Sequence, residues 1–597
     1  PAKLVHGHIL ALIEQKVDRI FYPIVPKEEK EFGQSSNSFN CPVVSGYPDV
    51  IQSSIDPSGR HGIPYDEPVI TFSSDKALAK GCYNYLSGLG VSKEVFDQAF
   101  QQALAVKDSL KQELYGYQKE LLGKALETGE LTFIVAGRPY HTDPLIHQKV
   151  GQIFSDLGVI VLTDDVFRKP ESQGFSTLNI ISQWSYPNRV VQAAMEVAKL
   201  PQNIQLVQLN SFGCGPDSFF MDETRDILKA AGKNITVLRI DEIASPGSIR
   251  LRLRSLVESL KAVKSYDLVA SDSYKGYSAP YKKEKDKNKT VLIPWLCDFI
   301  SPFAPALGEI LGLKVENLPK SNKISADLGL MYGNNEVCYP STLILGDIIN
   351  ALQSGNHDAK DIVLAITQTG GQCRATNYIA QIKTGLQNAG FNDIPVIALS
   401  SGETYQNDES EFTLEWKKIA KIAVPIVLYG DGLQQMHSAI SVREKKEGAS
   451  QQIFDFYIER GIDAVRAKDA KTLYRLLKEA VEDFNNVPIY DKEYSKVGLI
   501  GEIFVKYNNY AQSNISEWLR SRNVEVSTPP LLDFLMQFFV NSKVNVENGL
   551  SEETIFSKTL KPLIWWYINS KVKRSEKILS KFKFYEPSES IYAKAEA

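Results

Sequence analysis

Short apolar runs alternate with longer amphipathic stretches over most of the chain. Runs such as Leu131–Ala136, Ile204–Leu209 and Asp361–Ile366 are short and rich in β-branched residues, which is typical of buried strands. Between such runs, apolar residues recur every three or four positions, which predicts helices. Strands that alternate with helices form parallel sheets, so the pattern predicts an α/β fold with two or three Rossmann-like parallel-sheet domains and a helical segment.

The same pattern divides the chain into five regions. The segment 282–289 reads Lys-Lys-Glu-Lys-Asp-Lys-Asn-Lys and contains no apolar residue. We interpret it as a solvated linker and not as a nucleic-acid patch, because its charges are of both signs and aromatic side chains are lacking. The predicted regions are a first α/β region (1–265), a charged linker (266–290), a second α/β domain (291–432), a helical segment (433–490), and a third α/β piece with a helical tail (491–597).

Composition and charge exclude several classes of protein. The 597 residues include 67 Lys and Arg against 71 Asp and Glu, and the net charge of -4 gives no general attraction to nucleic acid or to an anionic membrane. No apolar run approaches the roughly 18 residues of a transmembrane helix, and no secretion signal is apparent. We therefore expect a cytoplasmic protein with neither nucleic-acid nor membrane partners.

Four of the six cysteines lie where a loop or a strand leads into a predicted helix. Cys214 and Cys373 each follow a predicted strand, whereas Cys41 and Cys338 each come shortly before a proline and a predicted helix. Parallel sheets bind ligands at such positions, and a helix N-terminus with an arginine beside it, as expected at Cys373, is a setting that favours reactive or metal-binding thiols. Dispersed thiolates that converge would suit an iron–sulfur cluster better than zinc, whose ligands usually come in close pairs.

The alternative for each of these cysteines is a small buried core residue. Cys82 and Cys297 have no glycine turn and no adjoining helix start, so we interpret both as packing residues. The chain contains no CxxC pair and no secretion signal, which favours reduced thiols over a disulfide framework.

The loop from Gly137 to Pro144 is a second polar feature at a strand end. Arg138 could hold a phosphate or a carboxylate, and His141 could donate a proton, so both are candidate catalytic residues. The alternative is a loop braced by a buried pair between Arg138 and Asp143.

Short motifs that include these residues are spread over nearly the whole chain. Together they resemble the 2-hydroxyacyl-CoA dehydratase superfamily, in particular its acyl-CoA dehydratase activase-related branch, which includes the double-cubane-cluster proteins. The motifs are Pro-Ala-Lys-Leu-Val-His-Gly-His at 1–8, Phe-Asn-Cys-Pro at 39–42, Gly-Arg-Pro-Tyr-His at 137–141, Trp-Ser-Tyr-Pro-Asn-Arg at 184–189, Ser-Phe-Gly-Cys-Gly-Pro-Asp at 211–217, Asp-Glu at 241–242, Cys-Tyr-Pro at 338–340, Gly-Gln-Cys-Arg at 371–374 and Gly-Glu-Ile-Phe-Val-Lys-Tyr at 501–507.

The resemblance implies an oxygen-sensitive iron–sulfur protein. In this family an ATP-hydrolysing activator passes one low-potential electron to a cluster, which reduces the substrate; the dehydratases eliminate water from a 2-hydroxyacyl-CoA through a ketyl radical. The activator would be fused upstream or act in trans, and the substrate would be an acyl-CoA thioester or another small molecule. A second copy of the chain is a further candidate partner. The positions at which the family has cluster cysteines are Cys41, Cys214, Cys338 and Cys373.

Two departures from the family concern the cluster. The family usually has a cysteine before the motif that begins at Pro1 and another where this chain has Ile24. We therefore expect a single [4Fe-4S] cluster in preference to a double cubane. The chain shows no phosphate-binding motif of the activator type, and we expect it to be part of a longer fused protein.

The sequence thus leaves three functional hypotheses. The leading one is an enzyme component, a cluster-bearing reductase or dehydratase module. The second is a non-catalytic scaffold that binds a cluster or ligand and docks an activator ATPase. The third is a plain α/β protein whose cysteines are all structural.

Overall fold

The computed structural model of the chain has the predicted α/β class, with two four-stranded sheets in which all strands are parallel. The chain forms two compact units. Unit 1 comprises Pro1–Tyr277, Thr369–Gln381 and Asn548–Leu550, and unit 2 comprises Ser278–Gln368, Ile382–Glu547 and Ser551–Ala597. The structure describes residues 2–143, 146–147, 149–168, 175–211, 214–240, 246–262, 274, 276–399, 411–550, 556–587 and 591.

Unit 1 contains a four-stranded sheet, a short two-stranded sheet and the helices around them. Its elements are α1 (Ala2–Glu14), β1 (Ile20–Phe21), α2 (Pro42–Ser45), α3 (Tyr47–Ser54), α4 (Pro57–His61), β2 (Tyr65–Asp66), α5 (Asp75–Gly88), α6 (Lys93–Thr128), β3 (Thr132–Ala136), α7 (Val150–Asp156), β4 (Ile160–Thr163), α8 (Ser185–Ala198), β5 (Ile204–Ser211), α9 (Gly215–Ala230), β6 (Thr236–Ile240) and α10 (Pro246–Lys261), with 3-10 turns at Pro139–Thr142, Asp164–Phe167, Phe175–Thr177 and Arg374–Asn377.

The order of strands in the unit 1 sheet is β4-β3-β5-β6. The chain leaves β3 for its neighbour β4, and then returns to the other side of β3 to form β5. The strand order therefore reverses between β3 and β5, and the carboxyl ends of these two strands bound a topological switch point, where open α/β sheets bind ligands. The sheet is held by an apolar core in which Phe133 and Val207 pack with Phe154, Leu253 and their neighbours from α7 and α10.

Unit 2 contains the other four-stranded sheet and most of the remaining helices. Its elements are α11 (Lys283–Asp286), β7 (Thr290–Ile293), α12 (Ala304–Leu311), β8 (Lys314–Asn317), α13 (Lys323–Tyr332), α14 (Tyr339–Gln353), β9 (Ile362–Thr367), α15 (Tyr378–Asn388, of which 378–381 belong to unit 1), β10 (Val396–Leu399), α16 (Trp416–Ile419), α17 (Ala423–Ser441), α18 (Ala449–Arg466), α19 (Ala470–Asn486), β11 (Ser495–Gly498), α20 (Ile503–Tyr507), α21 (Ile515–Arg520), β12 (Val524–Ser527), α22 (Leu531–Glu547) and α23 (Lys561–Leu579), with 3-10 turns at Ser301–Phe303 and Ala359–Asp361 and a π turn at Phe556–Leu560.

The order of strands in the unit 2 sheet is β10-β9-β7-β8. Counted from the first strand of each sheet, this is the same topology as in unit 1, so the switch point lies at the carboxyl ends of β7 and β9. Val291, Val363 and Ile397 from three of these strands are buried in one apolar cluster with Tyr281. Unit 2 also contains the parallel pair β11 and β12.

The helical region of unit 2 begins earlier than the predicted residue 433. Gly430 and Gly432 follow an apolar run and resemble a turn in the sequence, but both lie inside α17, which starts at Ala423. A Cβ on Gly430 would overlap the carbonyl oxygen of Phe299, and one on Gly432 would lie 3.0 Å from Leu477 Cδ1. These glycines therefore serve close helix packing and not a turn.

Part of the predicted linker is folded. Residues 283–286 form the single turn α11, and the Asp286 carboxylate is buried, accepts a hydrogen bond from the backbone N–H of Lys282 at 2.8 Å and pairs with Lys289 at 2.8 Å. Residues 263–273 and 275 lie outside the described part of the chain, as do Phe212, Gly213 and the Asp241-Glu242 motif. The division of the chain into five regions stays a prediction.

None of the helices in the described ranges combines the length and the apolar character that a membrane span requires.

Candidate functional site at the switch point of unit 1

All four cysteines that the sequence singled out lie immediately before a helix or helical turn. Cys41 precedes α2, Cys214 precedes α9, Cys338 precedes α14, and Cys373 precedes the 3-10 turn that leads into α15. This part of the prediction is confirmed. The other two differ: Cys82 lies inside α5, and Cys297 is buried in the apolar core of unit 2. All six are thiols without a disulfide.

The loop after β3 is folded tightly against β5. A Cβ on Gly137 would lie 2.7 Å from His141 Nδ1 and 3.1 Å from the carbonyl oxygen of Leu209, so this position has no room for a side chain without movement. The backbone N–H of Arg138 donates to His141 Nδ1 at 3.0 Å. The glycine thus allows the histidine ring to fold back on the loop and brace it.

Arg138 is buried and paired with Asp217, in the first turn of α9. Arg138 Nη2 lies 2.6 Å from Asp217 Oδ1, and both side chains are only 5% exposed. The same Nη2 lies 3.4 Å from Cys214 Sγ. Burial lowers the pKa of Arg138, but the Asp217 carboxylate outweighs it, so the guanidinium stays charged.

The alternative pair between Arg138 and Asp143 is wrong. Asp143 is exposed and accepts a hydrogen bond from the backbone N–H of Ile146 at 3.1 Å. A charged guanidinium inside the fold needs a buried counter-charge. Asp217 provides it from the helix that follows the neighbouring strand.

His141 is neutral and occupied on both ring nitrogens. Because Nδ1 accepts the Arg138 backbone N–H, the ring proton is on Nε2, which donates to Ser211 Oγ at 3.1 Å. Burial lowers the pKa of His141 to about 4, and the Arg138 guanidinium contributes to this. The histidine connects the ends of β3 and β5, and its predicted role as a proton donor stays a prediction.

The Cys214 thiol faces this charged pair but is not itself acidic. Burial and, to a smaller extent, the Asp217 carboxylate raise its pKa to about 12, although Arg138 opposes both. The first turn of α9 therefore does not by itself produce a thiolate at Cys214.

Cys41 lies near the same groups. Its backbone N–H donates to Asn40 Oδ1 at 2.9 Å, and its thiol is half-buried. Burial raises the pKa of the Tyr47 phenol, and both Cys41 and Cys214 raise it further. Because these two thiols act on one phenol and on the Arg138 guanidinium, they border the same small region of unit 1.

The Cys373 loop makes a sharp turn, and the four hydrogen bonds described below hold it to other parts of unit 1. Gly370 and Gly371 have φ of 72° and 61°, in the left-handed region that favours glycine. Gln183 Nε2 donates to the carbonyl oxygen of Cys373 at 3.1 Å, and Trp184 Nε1 donates to that of Gln372 at 3.3 Å. Gln372 Nε2 in turn donates to the carbonyl oxygens of Pro26 and Asn40, at 3.1 and 3.4 Å.

These contacts bring three cysteine loops together. Gln372, next to Cys373, bonds to the backbone of Asn40, next to Cys41. A Cβ on Gly215, next to Cys214, would overlap the Arg374 guanidinium and Cδ. The loop of Cys373 therefore contacts the loops of both Cys41 and Cys214, near the carboxyl ends of β3 and β5. We call this region the three-loop site.

The three-loop site holds no ready-made set of metal ligands. Within the described ranges, no three His, Cys, Asp or Glu side chains are grouped so that they could hold one ion. Cys338, half-buried in unit 2, is the fourth predicted ligand. That all four cysteines share one cluster stays a prediction.

A buried ionic network beside the site escaped the sequence analysis. Arg189 Nε lies 2.8 Å from Asp164 Oδ2 and Nη2 lies 2.7 Å from Asp165 Oδ1, while Arg168 pairs with Glu31 and Asp165. Burial raises the pKa of Asp164 to about 6 although Arg189 lowers it. The network ties the start of α8 to the end of β4. The motif Trp184–Arg189 contains Arg189 and could have pointed to this network. Its acidic partners, however, are spread between positions 31 and 165 of the sequence.

Comparison with known families assigns only the N-terminal part of the chain. Residues 1–167 match the family described as CoA enzyme activase uncharacterised domain (DUF2229). Searches of curated proteins and of solved structures gave no match. The matched range includes Cys41, Arg138 and His141. Residues 1–167 are therefore similar to a domain associated with CoA enzyme activases.

Proposed function

We propose that the chain is the iron–sulfur component of a reductase or dehydratase system and acts in the cytoplasm. In this proposal it receives low-potential electrons from an ATP-dependent activator and reduces or dehydrates a small or CoA-linked substrate. Cys41, Cys214 and Cys373 are proposed as cluster ligands, with Cys338 as the fourth. The similarity of residues 1–167 to a domain associated with CoA enzyme activases supports the part of the proposal that places the chain in an activator-dependent system. The observation that carries the proposal is the contact between the three cysteine loops.

The thiols of the three-loop site are suitable ligands for such a cluster, but their grouping matches it only in part. Thiols are the usual ligands of iron–sulfur clusters, and the charged Arg138 beside Cys214 would offset negative charge on thiolates. Because the pKa of Cys214 is about 12, iron would have to displace its proton on binding. Since no three ligands are grouped in the described residues, the loops would also have to close on the cluster. When bound, the cluster would supply one-electron transfer.

The residues around the thiols have separate proposed tasks. Arg138 and Asp217 fix the charge behind Cys214, and neutral His141 holds the loop after β3 to the end of β5. Arg374 lies against the first residue of α9, where backbone N–H groups and the helix dipole favour anions. In the proposal Arg374 orients a negatively charged part of the substrate.

Iron and sulfide analysis tests this proposal. The chain would be purified without oxygen and reconstituted with ferrous iron and sulfide, and we expect about four iron and four sulfide ions per chain. Cys41→Ala and Cys373→Ala should each lose most of this iron. Cys82→Ala, which removes a half-buried thiol inside α5, is the matched control and should retain it. Wild-type protein with no more iron than the Cys41→Ala, Cys373→Ala double variant would overturn the proposal.

A second candidate function is the non-catalytic scaffold. It is favoured by the lack of three grouped ligands among the described residues and by the raised pKa of Cys214, since both suit a structural polar site. The same reconstitution separates the candidates when binding of the activator is measured in parallel. An iron-free chain that still binds the activator would support the scaffold and contradict the cluster-bearing component.

A further inference from the structure

The long helix α6 presents two faces with different surroundings. One face is packed on unit 1: Phe96, Gln118 and Ala125 are buried, and Gln118 Oε1 accepts the backbone N–H of Thr163 at 2.8 Å. On the same side, Lys107 and Lys111 pair with Glu29. Both apolar and polar residues of this face hold the helix to the rest of unit 1.

A second stripe of apolar residues runs along the exposed side of α6. Val106 is 67% exposed, Leu110 64% and Tyr117 62%. Ala99 and Ala103 are exposed as well. Positions 99, 103, 106, 110 and 117 are separated by four, three, four and seven residues, which is the spacing of the a and d positions in a coiled coil. The stripe thus has the pattern of a helix–helix seam.

We infer that this stripe packs against the same stripe of a second copy of the chain, with the two helices antiparallel. In an antiparallel pair centred between Val106 and Leu110, Val106 of one copy lies opposite Leu110 of the other. Ala99 of one copy then lies opposite Tyr117 of the other. A small residue then faces a large one at the ends of the seam. The stripe is therefore complementary to itself about a two-fold axis, as a homodimer interface requires.

Charge and length favour a second copy as the occupant. Glu113 is the charged residue at a seam position, and in the proposed register it faces Ala103 and not another acid. Depletion of charge is typical of the centre of protein interfaces. From Ala99 to Tyr117 the seam covers about 28 Å of helix at roughly 1.5 Å per residue, and Val95, 60% exposed, lengthens it by about one turn.

The mass of the protein in solution tests the inference. We expect the mass of two chains for the full chain in light scattering at micromolar concentration. The Val106→Glu, Leu110→Glu double variant places four carboxylates in one seam and should weaken the dimer more than roughly a hundredfold. Leu251→Glu, at a 69% exposed position of α10, is the matched control and should leave the dimer intact. Circular dichroism confirms that both variants fold.

A cysteine pair tests the antiparallel register. Ser109 flanks the seam close to the proposed two-fold axis, whereas Gln112 is exposed on another side of α6. Under mild oxidation Ser109→Cys should form a disulfide between copies well above the wild-type background, and Gln112→Cys should not. Monomeric wild-type protein would overturn the inference and leave the stripe to a different partner. A dimer that survives the double variant, or equal crosslinking at both cysteines, would overturn it as well.

Discussion

The two four-stranded sheets have the same strand order, but different residues follow their central strands. In unit 1, β3 is followed by Arg138 and His141, which bond to Asp217 and Ser211. In unit 2, β7 is followed by Trp295, Leu296 and Cys297, and the Cys297 side chain is buried in an apolar cluster. The residues after β3 are charged or polar, whereas Cys297 after β7 is packed in an apolar cluster. Topology alone therefore marks two places where a ligand could bind, and the proposed function uses the polar one.

A cysteine follows the third strand of each sheet, and the next residue distinguishes the two loops. Cys214 is followed by Gly215, and Cys373 is followed by Arg374. The glycine leaves the space that the Arg374 side chain fills. The loop after β9 is thus a member of unit 1, and one compact unit carries both third-strand cysteines.

The largest effect on stability is expected from Asp217→Ala. The change leaves the Arg138 guanidinium buried without its counter-charge, which typically costs about 3–5 kcal/mol. Asp222→Ala, on the same helix, removes only the exposed pair with Arg225 and should cost about 0–1 kcal/mol. Thermal melting of both variants checks this. Equal melting temperatures would mean that the charged switch point of unit 1 is no more tightly built than its surface.

The next effect tests packing in unit 2. A Cβ on Gly346 of α14 would overlap the carbonyl oxygen of Ser325 in α13, so Gly346→Ala should force these helices apart and cost roughly 1–3 kcal/mol. Gly123→Ala is the control, because Gly123 lies in α6 with open space around it and alanine there should stabilise by up to about 1 kcal/mol. Melting curves with opposite shifts are expected. A stabilising Gly346→Ala would contradict the close helix crossing.

A smaller effect is expected on stability at acid pH. Burial holds the pKa of His141 near 4, below the value of about 6.5 in an unfolded chain. As the pH falls from 6.5 to 4, the unfolded chain binds a proton at this position that the folded chain resists, so His141 alone should lower the free energy of unfolding by about 1.4 kcal/mol per pH unit. His141→Asn should reduce this slope.

Unit 2 has its own buried neutral histidine, which sharpens the test. Burial lowers the pKa of His437 to about 3, and Arg520 contributes, so its contribution to the acid slope should survive in His141→Asn. Melting temperatures of wild type and His141→Asn between pH 4.5 and 7 would show whether the variant loses a contribution of about 1.4 kcal/mol per pH unit. An unchanged slope in His141→Asn would show that His141 is not held neutral.

The smallest effect is expected at Gly215. A methyl group there meets only the end of the flexible Arg374 side chain, which can move, so Gly215→Ala should cost less than about 1 kcal/mol. It should nonetheless displace Arg374, because the two cannot occupy the same space. Differential scanning calorimetry together with the crystal structure of the variant checks both parts. A loss as large as that of Asp217→Ala would mean that the two loops are locked and not merely in contact.

The sequence predicted the sheets well because strand and helix patterns are local. The run ending at Ala136 and the run from Ile204 are strands, and the cysteines before helices lie where expected. Asp143, the partner of Arg138 in the alternative interpretation, was wrong because Asp217 is brought to Arg138 by strand order, which local spacing does not encode. The predicted start of the helical segment at 433 came too late because α17 continues through Gly430 and Gly432, which pack closely against neighbouring groups.

The central claim is that the switch point of unit 1, and not that of unit 2, is the functional one. Iron content after anaerobic reconstitution of Cys214→Ala and Cys297→Ala tests it most directly. Both changes remove one thiol that follows a central strand, from a charged site in one case and from an apolar core in the other. We expect Cys214→Ala to lose most of its iron and Cys297→Ala to keep the wild-type amount. Equal iron in the two variants would contradict the claim.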